Sequence, residues 1–227
     1  MGLAERIRTV QADITAAAIA SGRSPEDVTL VAVSKTVSRE VVDSAYALGL
    51  RHFGENRVQD SVKKYEHPLP EDAILHLIGQ LQSNKVRPAL RIFQMIESVD
   101  RLSLIEALER EAEIRNSPAP VLLQVNIAGE EQKSGCPPDE ALTLAQRIAD
   151  SPWMDLQGLM TIAPLVDDSE DVRPVFAGLR GLRDQLRGNG NIGGLEVLSM
   201  GMSNDYPVAI AEGATLVRVG RAIFGDS

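Results

Sequence analysis

The sequence predicts an α/β protein in which a single (β/α)8 barrel of the TIM type occupies residues 1–227. Eight short apolar segments recur along the chain, amphipathic helical segments alternate with them, and no long linker or low-complexity stretch interrupts the alternation. Such alternation requires parallel strands with right-handed crossovers, and eight strands can close into a barrel. An open, doubly wound sheet is the alternative.

The predicted strands are short and rich in β-branched or other apolar residues, which is typical of buried parallel strands. The first of them reads T-L-V-A-V-S and ends just before a lysine. The eight segments lie at residues 29–34, 51–54, 74–79, 93–97, 121–126, 156–161, 195–200 and 215–220.

The predicted helices fill the intervals between the strands. A helix at 3–21 has its apolar side chains on one face and ends at Gly22, and Ser38 can cap the next helix. Ser83 is expected to cap a short helix that Pro88 disturbs or ends. The other helices are predicted at 38–48, 56–65, 100–115, 139–149, 170–186 and 205–212. Only the tail R-A-I-F-G-D-S follows the eighth strand, so the N-terminal helix is expected to cover the place of an eighth helix.

The composition indicates a globular protein and argues against several classes of function. Hydrophobic residues make up 44% of the chain, yet no apolar run approaches the roughly 18 residues of a membrane helix, and no signal peptide is visible. The net charge of −9 disfavours a nucleic-acid surface. The lone Cys136 cannot form an internal disulfide, which favours a reducing cytoplasm. The three histidines lack metal-ligand spacing, so no metal site is expected.

Lys35 is the first candidate for chemistry, because it stands at the carboxyl end of the first strand, where barrels place their active sites. Apolar neighbours there would desolvate the lysine and disfavour its ammonium form, which would make the amine more nucleophilic. The alternative is a lysine that extends from the strand end into water.

Barrel closure would bring the eighth strand, with Arg218, beside Lys35. A buried guanidinium needs an acceptor, and an internal carboxylate is one alternative to a ligand. The loop S-M-G-M-S-N-D after the seventh strand and the turn V-G-R after the eighth offer glycine, hydroxyl and cationic groups to an anion. Barrel phosphate sites favour these two loops. An amine, a phosphate cradle and a guanidinium between them match the aldehyde, phosphate and ring nitrogen of pyridoxal 5′-phosphate.

Seven segments stand out in one order and over nearly the whole length: L-V-A-V-S-K-T (30–36), H-F-G-E-N-R-V-Q (52–59), H-L-I-G-Q-L-Q-S-N-K (76–85), V-N-I-A-G-E-E-Q-K-S-G (125–135), G-L-M-T-I-A-P (158–164), L-S-M-G-M-S-N-D (198–205) and R-V-G-R-A-I-F-G (218–225). In these segments the sequence resembles the YggS/PROSC family of pyridoxal phosphate homeostasis proteins. The family resembles the barrel domain of bacterial alanine racemase, which implies a fold-type III barrel with pyridoxal 5′-phosphate as its cofactor.

The resemblance also implies roles for individual residues. Lys35 would hold the cofactor as a Schiff base, Arg218 would face the pyridine nitrogen, and Asn56 would lie near the ring. Asn56 also has an alternative role as a helix N-cap.

For the phosphate, the resemblance implies Ser203, Gly220 and Arg221. The same pocket would be lined further by Ser199, Met200 and Gly201. His76 is expected to be a satisfied core histidine, and Lys133 a solvated loop residue or a secondary anion contact.

The implied function is non-catalytic binding of pyridoxal 5′-phosphate in intracellular vitamin B6 homeostasis. The implied partners are the cofactor itself and, as candidates, apo-enzymes that use it; the protein would be cytoplasmic and a monomer or weak homodimer. A weak amino-acid racemase and a Schiff-base aldolase are the alternatives. Arg218 is a donor and cannot keep the pyridine nitrogen protonated, which weakens the ring as an electron sink. Alanine racemases add a tyrosine base from a further domain, for which Tyr206 is the only plausible substitute here.

Overall fold

Eight parallel strands form a closed barrel in sequence order in the computed structural model, which describes residues 1–130, 132–188 and 192–225. The strands are β1 Thr29–Val33, β2 His52–Glu55, β3 Ile74–Leu77, β4 Met95–Val99, β5 Ala119–Gln124, β6 Met154–Met160, β7 Val197–Ser199 and β8 Leu216–Val219. Pairing of β1 with β8, which sets Val31 opposite Arg218, closes the barrel. The predicted (β/α)8 barrel is confirmed, and the open-sheet alternative is wrong.

Helices cover the outside of the barrel. They are α1 Leu3–Ala20, α2 Arg39–Ala47, α3 Val58–Lys64, α4 Val86–Ile92, α5 Leu102–Arg115, α6 Ala141–Ala149, α7 Arg173–Gly188, α8 Tyr206–Ala211 and α9 Arg221–Phe224. One detail of the prediction is wrong: Ser83 begins a separate 3-10 turn, Ser83–Lys85, and Pro88 lies in the first turn of α4. Proline is tolerated there because the first N–H groups of a helix have no intrahelical acceptor.

The N-terminal helix packs against the last two helices of the fold. Its buried side chains, among them Ile7 and Val10, face inward, and α1 contacts both α8 and α9. Arg6 Nε donates a hydrogen bond of 2.5 Å to the carbonyl oxygen of Ile223 in α9. The helix therefore covers the barrel beside β8, as expected from the sequence. The last two residues of the predicted tail, 226 and 227, lie outside the described residues.

The barrel interior contains an apolar layer and a polar layer. Met95, Leu122 and Met160 form a small apolar cluster that is separate from the large core shared by strands and helices. Glu97 projects to the same side of β4 as Met95, because alternate residues of a strand share a face. Glu97 and Arg218 are both buried, so charged groups lie inside the barrel. Within the described ranges, no helix combines the length and apolar character needed to cross a membrane.

Candidate functional site

A cavity of about 750 Å³ lies at the carboxyl end of the barrel strands. Its wall is formed by residues at or just beyond the ends of β1, β2, β3, β6, β7 and β8. The volume is within the range of small-molecule sites, and this end of a barrel is where such sites occur. Six of the nine predicted site residues line it: Lys35, Asn56, Ser203, Arg218, Gly220 and Arg221.

Ser199, Met200 and Gly201 are not part of the cavity lining, so the expectation that they line the pocket is corrected. Ser199 and Met200 are fully buried behind it. Gly201 has a φ of 93°, and a Cβ atom there would lie 2.6 Å from the Cβ of Ala209. This glycine therefore allows the loop after β7 to pack closely on α8.

Lys35 lies in the turn that follows β1, and its side chain is exposed. The prediction that burial desolvates this lysine is wrong, because β1 ends at Val33 and the chain has left the barrel interior before it reaches residue 35. The alternative, a lysine that extends from the strand end into water, describes its position. The side chain still lines the cavity that also contains Arg218.

The residue before Lys35 is held by a buried cluster that the sequence analysis missed. Ser34 Oγ donates to Glu55 Oε1 at 2.7 Å, and Lys64 Nζ donates both to the carbonyl oxygen of Ser34 at 2.7 Å and to Glu55 Oε1 at 2.8 Å. The hydroxyl of Tyr65 donates to the same carboxylate oxygen at 2.9 Å. The cluster fixes the backbone from which Lys35 extends. Its signal in the sequence was an acidic residue at a strand end, in H-F-G-E-N.

Replacing Lys64 tests the importance of this cluster. Lys64→Met is expected to lower the free energy of unfolding by about 3 kcal/mol, because it leaves the buried Glu55 carboxylate without its cation. Urea unfolding of the cofactor-free protein measures this. Lys63→Met is the matched control, since Lys63 is the exposed neighbour on the same helix, and should change the free energy by less than about 0.5 kcal/mol. Equal losses in the two variants would contradict the structural role.

Arg218 is 4% exposed and has partners inside the barrel. Its Nη2 donates to the carbonyl oxygen of Thr161 at 2.7 Å, and its Nη1 donates to Ser199 Oγ. The same Nη1 lies 3.8 Å from Glu97 Oε2. Burial lowers the pKa of Arg218, and the Glu97 carboxylate opposes that shift. Arg218 therefore combines both sequence-based alternatives: it has an internal carboxylate and it lines the cavity.

The loops after β7 and β8 form one side of the cavity. Arg221 Nη2 donates to Asn204 Oδ1 at 3.4 Å, which links the two loops. Asp205 stabilises the first loop, since its Oδ1 accepts a hydrogen bond of 2.5 Å from the N–H of Met202. Burial raises the pKa of Asp205. With Ser203, these groups place hydroxyl, amide and guanidinium donors together, which suits an anion.

Tyr206 is directed away from the cavity. Its hydroxyl donates to Asp13 Oδ2 on α1 at 3.0 Å, and the side chain is buried between α8 and α1. Burial raises the pKa of Tyr206, and the bond to Asp13 adds to this. The expectation that Tyr206 could substitute for a tyrosine base at the site is therefore corrected.

His76 is a satisfied core histidine, as expected. Its Nδ1 lies 2.7 Å from Glu97 Oε1 and its Nε2 lies 3.0 Å from His52 Nδ1. Lys133 forms an ion pair with Glu130. In the described part of the chain, no group of three His, Cys, Asp or Glu side chains is arranged to hold a metal ion.

Comparison with known proteins gives consistent matches over nearly the full length. The family model described as "Alanine racemase, N-terminal domain" matches residues 15–227. Two proteins named "Pyridoxal phosphate homeostasis protein" are similar to this chain. The one from Aquifex aeolicus is 42% identical over 226 residues (100% of this chain, 99% of that protein). The one from Pseudomonas aeruginosa is 44% identical over 223 residues (98% and 95%). The structure of PipY of Synechococcus elongatus PCC7942 with PLP bound has a TM-score of 0.86 and 36% identity, over 99% of this chain and 100% of that one.

Proposed function

Because the chain belongs to the family of pyridoxal phosphate homeostasis proteins and matches the alanine racemase N-terminal domain, we propose that it binds pyridoxal 5′-phosphate as a Schiff base on Lys35 and acts in the homeostasis of this cofactor. The observation that carries the proposal is the meeting of Lys35, Arg218 and the loops after β7 and β8 in one cavity. The PLP-bound structure of the similar PipY protein supports it.

The donor set of the cavity fits the cofactor. The exposed Lys35 side chain lines the cavity, where its amine would meet an aldehyde, and the buried guanidinium of Arg218 would offer a hydrogen-bond donor to the ring nitrogen. Asn56, just beyond β2, lines the cavity beside them and would contact the ring. When bound, the cofactor supplies an aldehyde that condenses with amines and a conjugated ring that accepts electron density.

Ser203, Gly220 and Arg221 are proposed to hold the phosphate. A Cβ atom at Gly220 would lie 3.2 Å from the carbonyl oxygen of Val33, so glycine allows the ends of β8 and β1 to approach closely. The two loops can then present a hydroxyl, a backbone N–H and a guanidinium to the same anion. Ser199 would contribute indirectly, through its bond to Arg218.

We propose a non-catalytic role, because neither Arg218 nor Tyr206 is suited to acid–base chemistry at a cofactor ring. Arg218 would donate a hydrogen bond to the ring nitrogen and would not protonate it, because a guanidinium does not give up its proton near neutral pH. The Tyr206 hydroxyl is bonded to Asp13. A weak amino-acid racemase is the second candidate, supported by the family match to alanine racemase. A cofactor-free aldolase would have no use for Arg218 between the amine and the phosphate cradle.

The proposal also covers the setting in which the protein works. Residues 1–227 would act as one domain in the cytoplasm, as a monomer or weak homodimer, with apo-enzymes that require the cofactor as its partners. A reducing compartment is supported by Cys136, a free cysteine in the described part of the chain that is buried. Burial raises the pKa of its thiol to about 12, so little of the reactive thiolate form exists at neutral pH.

The phosphate assignment is tested by comparing two ligands. Ser203→Ala is expected to weaken binding of pyridoxal 5′-phosphate about 5- to 30-fold, the scale of one charge-assisted hydrogen bond, and to leave binding of unphosphorylated pyridoxal nearly unchanged. Absorbance titration measures both affinities. Gly220→Pro should show the same selectivity, because it removes a backbone N–H.

Ser169→Ala is the matched control, since Ser169 lines the cavity from the β6 side. It should affect neither ligand. Equal losses for the two ligands in Ser203→Ala, or a phosphate-selective loss in Ser169→Ala, would contradict the assignment of the phosphate to the loops after β7 and β8.

A further inference from the structure

A continuous set of hydrogen-bonded side chains crosses the barrel interior below the cavity. We call it the interior network, and its members are Arg218, Ser199, Glu97, His76 and His52. Ser199 Oγ donates to Glu97 Oε2 at 2.5 Å, the other carboxylate oxygen lies 2.7 Å from His76 Nδ1, and His76 Nε2 lies 3.0 Å from His52 Nδ1. One end lines the cavity and the other reaches the first residue of β2, at the opposite end of the strands.

Glu97 is the central member and is 0% exposed. Removing a carboxylate from water costs several kcal/mol, which its partners must offset. Burial alone would raise the pKa of Glu97, but the hydrogen bond and charge of His76 and the charge of Arg218 hold it below its usual value. The carboxylate is therefore ionised at neutral pH, with Arg218 on one side and His76 on the other.

The geometry around Arg218 fixes the direction of the guanidinium. Nη1 faces Ser199 and Glu97, and Nη2 is bonded to the carbonyl oxygen of Thr161. These acceptors engage both terminal nitrogens of the planar guanidinium. Arg218 also lines the cavity, so N–H groups that these acceptors do not use are available to a ligand there. Asp205 is the other carboxylate that acts on Arg218.

We propose that Glu97 is a positioning residue for Arg218. It orients the guanidinium toward the cavity, and its negative charge offsets the effect of the positive guanidinium on a bound cofactor ring. This inference rests on the proposed function. His76 fixes the second oxygen of the carboxylate. Burial, followed by the effect of His76, lowers the pKa of His52 to about 4, so the outer end of the network is neutral at pH 7.

The test is a pH titration of the visible absorption band of the protein mixed with pyridoxal 5′-phosphate. Glu97→Gln keeps the shape of the side chain but removes its charge, so the positive charge of Arg218 is no longer offset. The apparent pKa of the band should fall by about one unit, the scale of one charge at roughly 10 Å in a protein interior. Glu212→Gln is the matched control, because Glu212 pairs with Arg173 and Arg180 away from the cavity, and it should cause no shift.

A double-mutant cycle on the cofactor-free protein distinguishes action through Arg218 from general damage. The losses of stability in Glu97→Gln and Arg218→Met should be far from additive, because each removes the partner of the other. If Glu97→Gln does not fold, Ser199→Ala takes its place in both measurements and should shift the band in the same direction by a smaller amount.

An unchanged apparent pKa of the visible band in Glu97→Gln, or additive losses of unfolding free energy in the double-mutant cycle, would overturn the inference. Absence of any visible band in the unmodified protein would instead overturn the proposed function.

Discussion

The Lys35→Ala protein is expected to keep its fold and to lose its covalently held cofactor completely. Lys35 is exposed in the turn after β1, and the buried cluster of Ser34, Glu55 and Lys64 stays intact without its side chain. The free energy of unfolding should therefore change by less than about 0.5 kcal/mol. Among the described residues that line the cavity, Lys35 is the one lysine, so no other amine there can take over the aldehyde. Borohydride reduction followed by peptide mapping measures the attachment.

Two other lysines serve as controls for this result. Lys85 and Lys133 belong to segments that also match the family, and Lys133 pairs with Glu130 outside the cavity. Their alanine variants should keep the visible band and the reduced adduct on Lys35. A pyridoxyl adduct on either of them in the unmodified protein would disprove the assignment of Lys35.

The cofactor-loaded protein is expected not to turn over alanine or other common amino acids at rates typical of enzymes. Such rates are roughly 1–1000 per second, and exchange of the α-proton should be slower by about three orders of magnitude or more. The physical reason is twofold: Arg218 cannot protonate the ring nitrogen, and the Tyr206 hydroxyl is held by Asp13. Exchange of the α-proton with deuterated solvent, followed by NMR, detects deprotonation even without net reaction.

Tyr206→Phe is the control variant for this experiment and should leave the exchange rate unchanged, since its hydroxyl does not face the cavity. Rapid exchange that disappears in Lys35→Ala would show that the protein is a catalyst. Slow exchange together with transfer of the cofactor to an apo-enzyme would support the role of a carrier.

The barrel could be predicted because its signal is repeated and local. Each strand segment is apolar and each is separated from the next by an amphipathic segment, so an error in one boundary does not change the order. β5, for instance, begins at Ala119 although the sequence suggested residue 121. The short helix after β3 was harder, because a proline in the first turn of a helix and a proline that ends one look alike in sequence.

In the candidate site, the cationic residues could be predicted from the sequence, but the residues that pair with them could not. Lys35 and Arg218 stand out because each interrupts or follows an apolar strand. Glu97 likewise interrupts an apolar strand, β4, in M-I-E-S-V. Its hydrogen-bond partner Ser199, however, is 102 residues away in the sequence. Only barrel closure brings the two together. The solvent exposure of Lys35 could not be predicted either. It depends on where β1 ends, and sequence patterns locate strand ends poorly.

The joining of the two ends of the chain has a consequence for biosynthesis. The bond between Arg6 and Ile223 spans 217 residues, and β1 is hydrogen-bonded to β8. One wall of the cavity follows β1 and another follows β8, so the ribosome must have released the end of β8 before the cavity exists. Contacts of such long range also slow folding. A nascent chain therefore keeps one side of its first strand unpaired, and it can acquire a ligand in this cavity only after β8 and the turn that follows it have been synthesised.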